Sequence, residues 1–252
     1  MSQLARVAAL YDIHANLPAL EAVLEEVREA QVDNVLIGGD VIPGPMPCET
    51  LARLFNLDIP VQFIHGNGDR EALAHLSGRE MTTVPEPFRG PVIWAAEQLG
   101  QKYRPILASW PPSLSVDIPP LGVVFFCHST PRNDVEIFTR LTPEEVLKPL
   151  FEGLGAQVVV CGHTHMQFDR MVGSVRVVNA GSVGMPFGEP RADWLMLGPD
   201  VELRHTNYDL AAAAERIRAT QYPEANEFAA NYVLTPPTEA DMLERFTPFA
   251  LK

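Results

Sequence analysis

Short apolar runs alternate with amphipathic stretches along the first two thirds of the chain. Residues 6–11 (RVAALY) are apolar enough to form a strand buried on both faces. In residues 17–30 the apolar positions are Leu17, Leu20, Val23, Leu24 and Val27, a helical stripe. Asn16 is placed to cap that helix and Pro18 suits its first turn. Residues 35–37 and 61–64 read as the second and third strands, with a helix at 49–55 between them. Strand, helix, strand, helix, strand at this spacing predicts right-handed crossovers and a mainly parallel sheet.

The pattern then loosens. Residues 81–120 are Pro-rich, with two Pro-Pro pairs, and predict loops around one helix near 93–102. Residues 123–127 and 158–161 read as strands, and 142–151 as a helix with Pro143 in its first turn. Residues 175–178, 194–197 and 202–206 are short or alternating and predict a second sheet with hairpin connections. From Tyr208 onward the pattern is helical. The expected organisation is a core domain over 1–207 and a C-terminal helical extension over 208–252 packed on it. Phe228, Tyr232, Met242, Phe246 and Phe249 are its apolar positions. They fit core packing, with a lid or dimer contact as the functional alternative.

The length, 252 residues, supports one large domain or two small ones, with enough apolar content (46%) to bury a core without staples. No apolar run reaches the roughly 20 residues that cross a bilayer. The first residues lack a basic start and carry Asp12 and His14 where a signal peptide would stay apolar, so they read as a first strand. The net charge of −13 argues against long nucleic acid and anionic membrane as partners. A small phosphoester remains compatible, a nucleotide included, because bound cations can attract phosphate locally. Three cysteines without a CxxC spacing argue against a disulfide framework and for a reducing, cytoplasmic location. Nothing in the pattern decides against a homo-oligomer.

Five motifs follow predicted strands directly: Asp12-Ile13-His14, Gly39-Asp40, Gly66-Asn67-Gly68-Asp69, His128 and Gly162-His163-Thr164-His165. Side chains at the same ends of sheet strands converge, which is where open α/β sheets place ligands. The set offers two carboxylates, one amide oxygen and four imidazoles, donors that suit Mn, Fe or Zn better than Ca or Mg. Seven donors are too many for one ion and suit two divalent ions sharing a carboxylate. Two residues apart in an extended segment, His163 and His165 lie on one face.

The order D-x-H, G-D, G-N, H, G-H-x-H resembles the calcineurin-like metallophosphoesterase superfamily, over about residues 4–207. The segment Asn179-Ala180-Gly181-Ser182-Val183-Gly184 is similar to its small bacterial and archaeal phosphodiesterase branch. The resemblance implies an α/β fold, a four-layer α/β/β/α sandwich of two mixed sheets. It implies that Asp12, His14 and His165 bind one metal, that Asn67, His128 and His163 bind another, and that Asp40 bridges them. Mn, Fe or Zn would serve, with Ni or Co acceptable to the same donors. A metal-bridging hydroxide would attack phosphorus in line. Asp40, Asn67, Asp69 and His128 form the expected catalytic set. Asn67, Arg70 and Arg132 are the expected substrate contacts, the arginines as phosphate grips. For each arginine a surface ion pair is the plainer reading, and for Asp69 a helix cap.

One position departs from the family pattern. Many relatives carry His after the G-N pair, near the leaving group, and here it is Gly68. Without that general acid, good leaving groups are expected to be favoured and unactivated alkyl monoesters to react poorly. His75, on the helix that follows, is a minor candidate for the missing acid. The leading expectation is a metal-dependent phosphodiesterase. The alternatives are a phosphomonoesterase and a weakly catalytic scaffold that binds metal and a protein partner. His65, Cys127 and Cys161 are expected to be structural.

Overall fold

A computed structural model describes residues 6–86 and 89–252; residues 87–88 of the Pro-rich stretch and residues 1–5 lie outside the described part. Two five-stranded sheets form the centre. In the first, β1 (Val7–Leu10), β2 (Asn34–Ile37) and β3 (Val61–Phe63) run parallel. On the other side of β1 lie β9 (Ala192–Leu197) and β10 (Val201–Thr206), both in antiparallel pairings. The second sheet is ordered β4 (Ser113–Ile118), β5 (Gly122–Cys127), β6 (Val158–Cys161), β8 (Val175–Asn179), β7 (Phe168–Val172). Here β5, β6 and β8 are parallel, and β4 and β7 form antiparallel edges.

The period-2 alternation of each strand builds the layers. Val7, Ala9, Leu36, Leu195 and Leu197 of the first sheet meet Val124, Phe126, Val158, Val160 and Val178 of the second in one core. The intervening residues face outward onto helices. Ala8, Leu10, Val35 and Ile37 pack under α1 (Leu17–Glu29), α2 (Pro47–Phe55), α3 (Asn67–Leu76) and α4 (Arg89–Leu99). On the far side, Cys127, Val159, Cys161 and Val177 pack under α6 (Glu144–Phe151). Helix, sheet, sheet, helix is the expected four-layer order, and both strand cysteines are core residues in it. Asn16 caps α1 by accepting from the Ala19 amide at 3.3 Å, and Pro18 stands in its first turn.

Three expectations need correction. The Pro-rich middle is not only loops around one helix, since it also holds α5 (Arg104–Ala108) and the edge strand β4. The Pro-Pro pairs bracket β4, and an edge strand tolerates such neighbours. The expected second sheet of 175–178, 194–197 and 202–206 does not exist as one unit. β8 joins the second sheet, whereas β9 and β10 close the first. All six residues of β9 are buried, so this strand must lie inside a sandwich beside β1 and cannot stand in a solvated hairpin. Finally, β7 escaped the pattern because its middle residues, Asp169, Arg170 and Met171, are polar or exposed.

The C-terminal segment carries α7 (Leu210–Arg218), α8 (Ala225–Phe228), a π-helical turn (Ala229–Leu234) and α9 (Glu239–Phe246). Ala213, Ile217, Phe228 and Val233 join the core over the first sheet. Met242 and Leu243 of α9 make a separate cluster with Met166, against which Phe187 and Phe246 pack. Phe249 is largely exposed.

Phe126 is fully buried between the sheets and Leu141 is 65% exposed. We expect Phe126→Ala to cost about 3–5 kcal/mol in urea unfolding, through lost burial and the cavity left behind. Leu141→Ala should stay within about 0.5 kcal/mol of the parent.

Candidate metal centre

The parallel strands deliver their C-terminal ends to one rim. Asp12 follows β1, Asp40 follows β2, Asn67 opens α3 after β3, His128 follows β5, and His163 and His165 follow β6. The loops there are bent hard. Among the described residues seven non-glycines have positive φ, and five of them are Asp12, His14, Asp40, His163 and His165. Such a conformation costs an L-residue about 1–2 kcal/mol. It persists because the loops are laced together. The amides of Asp12, His14 and Ala15 donate to the carbonyls of Gly39, Asp40 and Val41 at 2.8–3.0 Å, and the Gly184 amide donates to the Asp12 carbonyl at 3.0 Å. Gly39 needs its missing side chain. Its φ is +95°, and a Cβ would stand 2.8 Å from His128 Nδ1.

Three imidazoles are oriented by the same device. Nδ1 of His14, His128 and His165 lies 3.1, 2.9 and 2.7 Å from the carbonyls of Pro43, Gly38 and Met185. A carbonyl only accepts, so the proton sits on Nδ1 and Nε2 turns a lone pair inward. His14 Nε2 and His165 Nε2 face each other at 3.2 Å. Asp12 Oδ1 lies 3.3 Å from His165 Nε2, 3.8 Å from His128 Nε2 and 3.9 Å from His14 Nε2. This oxygen is buried and accepts no hydrogen bond, while Oδ2 accepts from the His163 amide at 2.8 Å. Asp40 Oδ2 stands between His14 and His128, 3.9 and 3.8 Å from their Nε2 atoms, and Oδ1 accepts from the Gly68 amide at 2.7 Å.

The remaining donors gather beside His128. One end of the Asn67 amide lies 3.2 Å from His128 Nε2 and 3.0 Å from His163 Nδ1. With its oxygen on that side, only lone pairs meet there. Lone pairs and an orphaned carboxylate oxygen crowded at 3–4 Å fit a cation between them, or extra protons in its absence. Asp12, His14 and His165 make one such triad, and Asp12, Asp40 and His128 another. Burial and the adjacent His165 hold His14 below the ordinary imidazole range. Burial and His128 push His163 down to about 4. At His128 burial is outweighed by Asp40 and Asp12, which lift it. At His165 burial is likewise outweighed, chiefly by Asp12. Burial would raise Asp12, but His165 and His128 hold it well below the usual carboxylate range.

The other expected site residues lie elsewhere. Asp69 does not face this centre. Its oxygens accept from the amides of Val41, Ile42 and Gly66, so it clamps the Asp40 loop to the start of α3 as a positioning residue. Burial and the charge of Asp40 raise its carboxyl to about 7. Arg70 forks onto Asp134 at 2.7 and 2.9 Å and also reaches Glu71 and Thr83. Arg132 pairs with Glu136. Both arginines line a neighbouring cavity and have carboxylate partners, the ion-pair alternative stated for each. His75 pairs with Glu97 at 3.7 Å and is not a wall of the cleft above the donors. His65 Nδ1 stands 3.5 Å from Asp134 Oδ2, in keeping with a structural role.

Sequence motifs also missed several supports. Ser182 donates to the Asp12 carbonyl at 2.7 Å, and Asn179 donates to the Gly162 carbonyl at 2.7 Å. Phe187 stacks on His165 with centroids 5.1 Å apart and itself meets Phe246 of α9. The 179–184 segment was a visible signal for the first two; Phe187 carried none.

Residues 6–198 match the calcineurin-like phosphoesterase superfamily domain. The chain belongs to this superfamily. An uncharacterized protein of Methanocaldococcus jannaschii is 25% identical over 241 residues, which cover 86% of this chain and 94% of that protein. The crystal structure of a hypothetical protein from Pyrococcus horikoshii OT3 shares the fold, with a TM-score of 0.78 at 22% identity over 93% of this chain and all of that one. A metallophosphoesterase from Sphaerobacter thermophilus matches with a TM-score of 0.68 at 25% identity, over 92% of this chain and all of that one.

Within this superfamily chain, Gly68 has a steric reason. A Cβ there would stand 2.5 Å from Pro43 Cγ and 3.1 Å from Asp40 Oδ1. A side chain at this position requires Pro43 to shift. We expect Gly68→Ala to destabilise by about 1–3 kcal/mol through overpacking. Pro43→Ala should relieve much of that cost, read as coupling in a double-mutant cycle of unfolding free energies. Additive costs would show that Pro43 is not the obstacle.

Proposed function

We propose that this metallophosphoesterase-fold protein is a phosphodiesterase working with two divalent metal ions. Asp12, His14 and His165 would hold one ion, Asn67, His128 and His163 the other, with Asp40 between them. The observation that carries the reading is the inward convergence of lone pairs on the buried, unpartnered Asp12 Oδ1. When bound, such a pair supplies Lewis-acid neutralisation of phosphoryl oxygens and a water acidified enough to attack phosphorus.

The chain's own residues do the rest. Carbonyls of Gly38, Pro43 and Met185 keep three imidazoles in the ligating tautomer and fix their ring planes. The Gly68 amide holds one oxygen of Asp40, leaving the other to lie between His14 and His128. Gly68 can supply no side-chain proton to a leaving alcohol. The cleft over His14, Asp40 and Asn67 is lined by no Lys or Arg among the described residues. A monoester dianion therefore finds no side-chain cation beyond the metals, whereas a diester monoanion needs none. Both features favour diesters with good leaving groups.

Metal-stripped protein re-supplied singly with Mn, Fe, Zn, Ni or Co provides the direct assay. We expect metal-dependent cleavage of bis-p-nitrophenyl phosphate, faster than that of p-nitrophenyl phosphate. Asp12→Asn should lower diester turnover by about 100-fold or more. Metal binding without turnover of either ester would favour the scaffold alternative.

Metal uptake must displace protons from imidazoles. Asp40 and Asp12 raise the proton affinity of His128 and His165. Competition should thus persist above the ordinary histidine value of about 6.5. Measured by competition with a fluorescent chelator, metal affinity should still be rising with pH through neutrality. A flat profile from pH 5 to 8 would contradict the ligand set.

A further inference from the structure

Asn67 reaches the donor cluster from a different side than the imidazoles beside it. It opens α3 on the flank of the first sheet, whereas His128 and His163 follow strands of the second. Its amide is neutral and has no net charge to draw it in. Its place therefore depends on what holds α3 against the second sheet. One turn further along α3, Arg70 crosses that seam. Its Nε and Nη2 fork onto the two oxygens of Asp134, at 2.7 and 2.9 Å. Asp134 stands in the loop that follows His128, and its carbonyl oxygen lies 3.3 Å from the Asn67 amide. Asn67 aside, no other side chain of α3 hydrogen-bonds or ion-pairs with the second sheet or its loops among the described residues.

Both ends of the fork are anchored. On the loop side, the Thr130 amide donates to the Asn133 carbonyl at 3.1 Å. The amides of Val135 and Glu136 donate to Asn133 Oδ1 at 3.1 and 2.9 Å, which closes the turn around Asp134. On the helix side, Arg70 Nη1 donates to Glu71 at 3.1 Å and Nη2 to Thr83 at 3.1 Å. Glu71 is buried and accepts from the amides of Thr82 and Thr83, both at 3.0 Å. A guanidinium has about five N–H donors. These contacts occupy four of them, so Arg70 is a fastening and has little left with which to grip a substrate phosphate. The two side chains are 32% and 12% exposed, and a two-point pair at that burial is screened less than a surface pair.

We propose that Arg70 and Asp134 are positioning residues for Asn67. Their pairing fixes the separation of the Asn67 amide from His128 and His163, 3.2 and 3.0 Å here, and with it the affinity for the ion those three residues hold. The inference rests on the two-ion reading above and assigns a role to residues outside the donor set. Asp69 does different work. It ties the start of α3 to the Asp40 loop, within the first sheet, whereas Arg70 ties α3 across to the second.

The test titrates metal-stripped, full-length protein with Co(II), followed by calorimetry and by the visible absorption of the bound ion. Asn67→Ala identifies which of the two binding steps belongs to Asn67. We expect Arg70→Ala and Asp134→Ala to weaken that same step by about 10–100-fold, the usual cost of losing an outer support of a ligand. The other step should stay within about twofold of the parent. On top of Asn67→Ala, Arg70→Ala should weaken that step no further, because the pair acts through Asn67. A pair that merely stabilises the fold would weaken both steps alike or neither, or its effect would add to that of Asn67→Ala. Each of those results overturns the proposal. If an alanine variant does not fold, Arg70→Lys, which keeps the charge and loses the fork, and Asp134→Asn carry the same comparison. If the parent binds fewer than two ions, the two-ion reading fails and crystal structures of metal-free parent and Arg70→Ala decide. An Asn67 amide moved by about 1 Å or more from His128 and His163 supports the positioning role, and an unmoved one rejects it.

Discussion

Asp12 carries the central constraint of this molecule. One of its oxygens is buried, accepts no hydrogen bond and is surrounded by three imidazole nitrogens. Leaving a carboxylate in that condition is costly unless a positive charge completes it. The neighbouring backbone is arranged to keep it there. Left-handed residues cluster at the ends of β1, β2 and β6, and interstrand hydrogen bonds continue past those ends to hold the bends. Strain concentrated beside a set of converging donors is the usual mark of a functional site, because nothing in packing alone calls for it.

Neither sheet owns this centre. Asp12, His14, Asp40 and Asn67 come from the first sheet, and His128, His163 and His165 from the second. The core between the sheets therefore sets the distance between the two groups of donors. Phe126 and Val160 lie in that core, close in sequence to His128 and His163. Each imidazole that turns Nε2 inward is also anchored by a carbonyl from a separate loop, so ring orientation depends on several segments at once. A seven-donor set assembled this way is built by the whole sandwich and not by any one motif.

The C-terminal helices take part in both support and shape. Phe246 of α9 meets Phe187, which stacks on His165. Tyr222, Phe228 and the π-helical turn form the outer wall of the cleft. The strongly acidic character of the chain, net −13, reaches this wall through Glu224 and Glu227. The candidate metal centre is thereby bordered by negative charge.

Local sequence was informative wherever one residue's neighbours decide its role. The motifs after apolar runs marked the seven residues that converge at one rim, because strand ends in a parallel sheet converge whatever the rest does. Asn16 as a cap and Cys127 and Cys161 as core residues were legible for the same reason. Partners distant in the chain were not legible. An ion pair was the plainer reading for Arg70 and Arg132 and a cap for Asp69, but their partners, Asp134, Glu136 and the amides of Val41, Ile42 and Gly66, could not be named from the sequence. The sheet that receives β9 depends on burial of both its faces, which a short apolar run does not reveal. Sequence alone thus determined the donor types, their order and the alternation of strands and helices, since these follow from spacing and periodicity, and the four-layer sandwich followed from the family resemblance those motifs carry. Tertiary structure alone decided which charges are already neutralised, what closes the cleft and what a side chain at position 68 would meet, because those depend on atoms brought together from far along the chain.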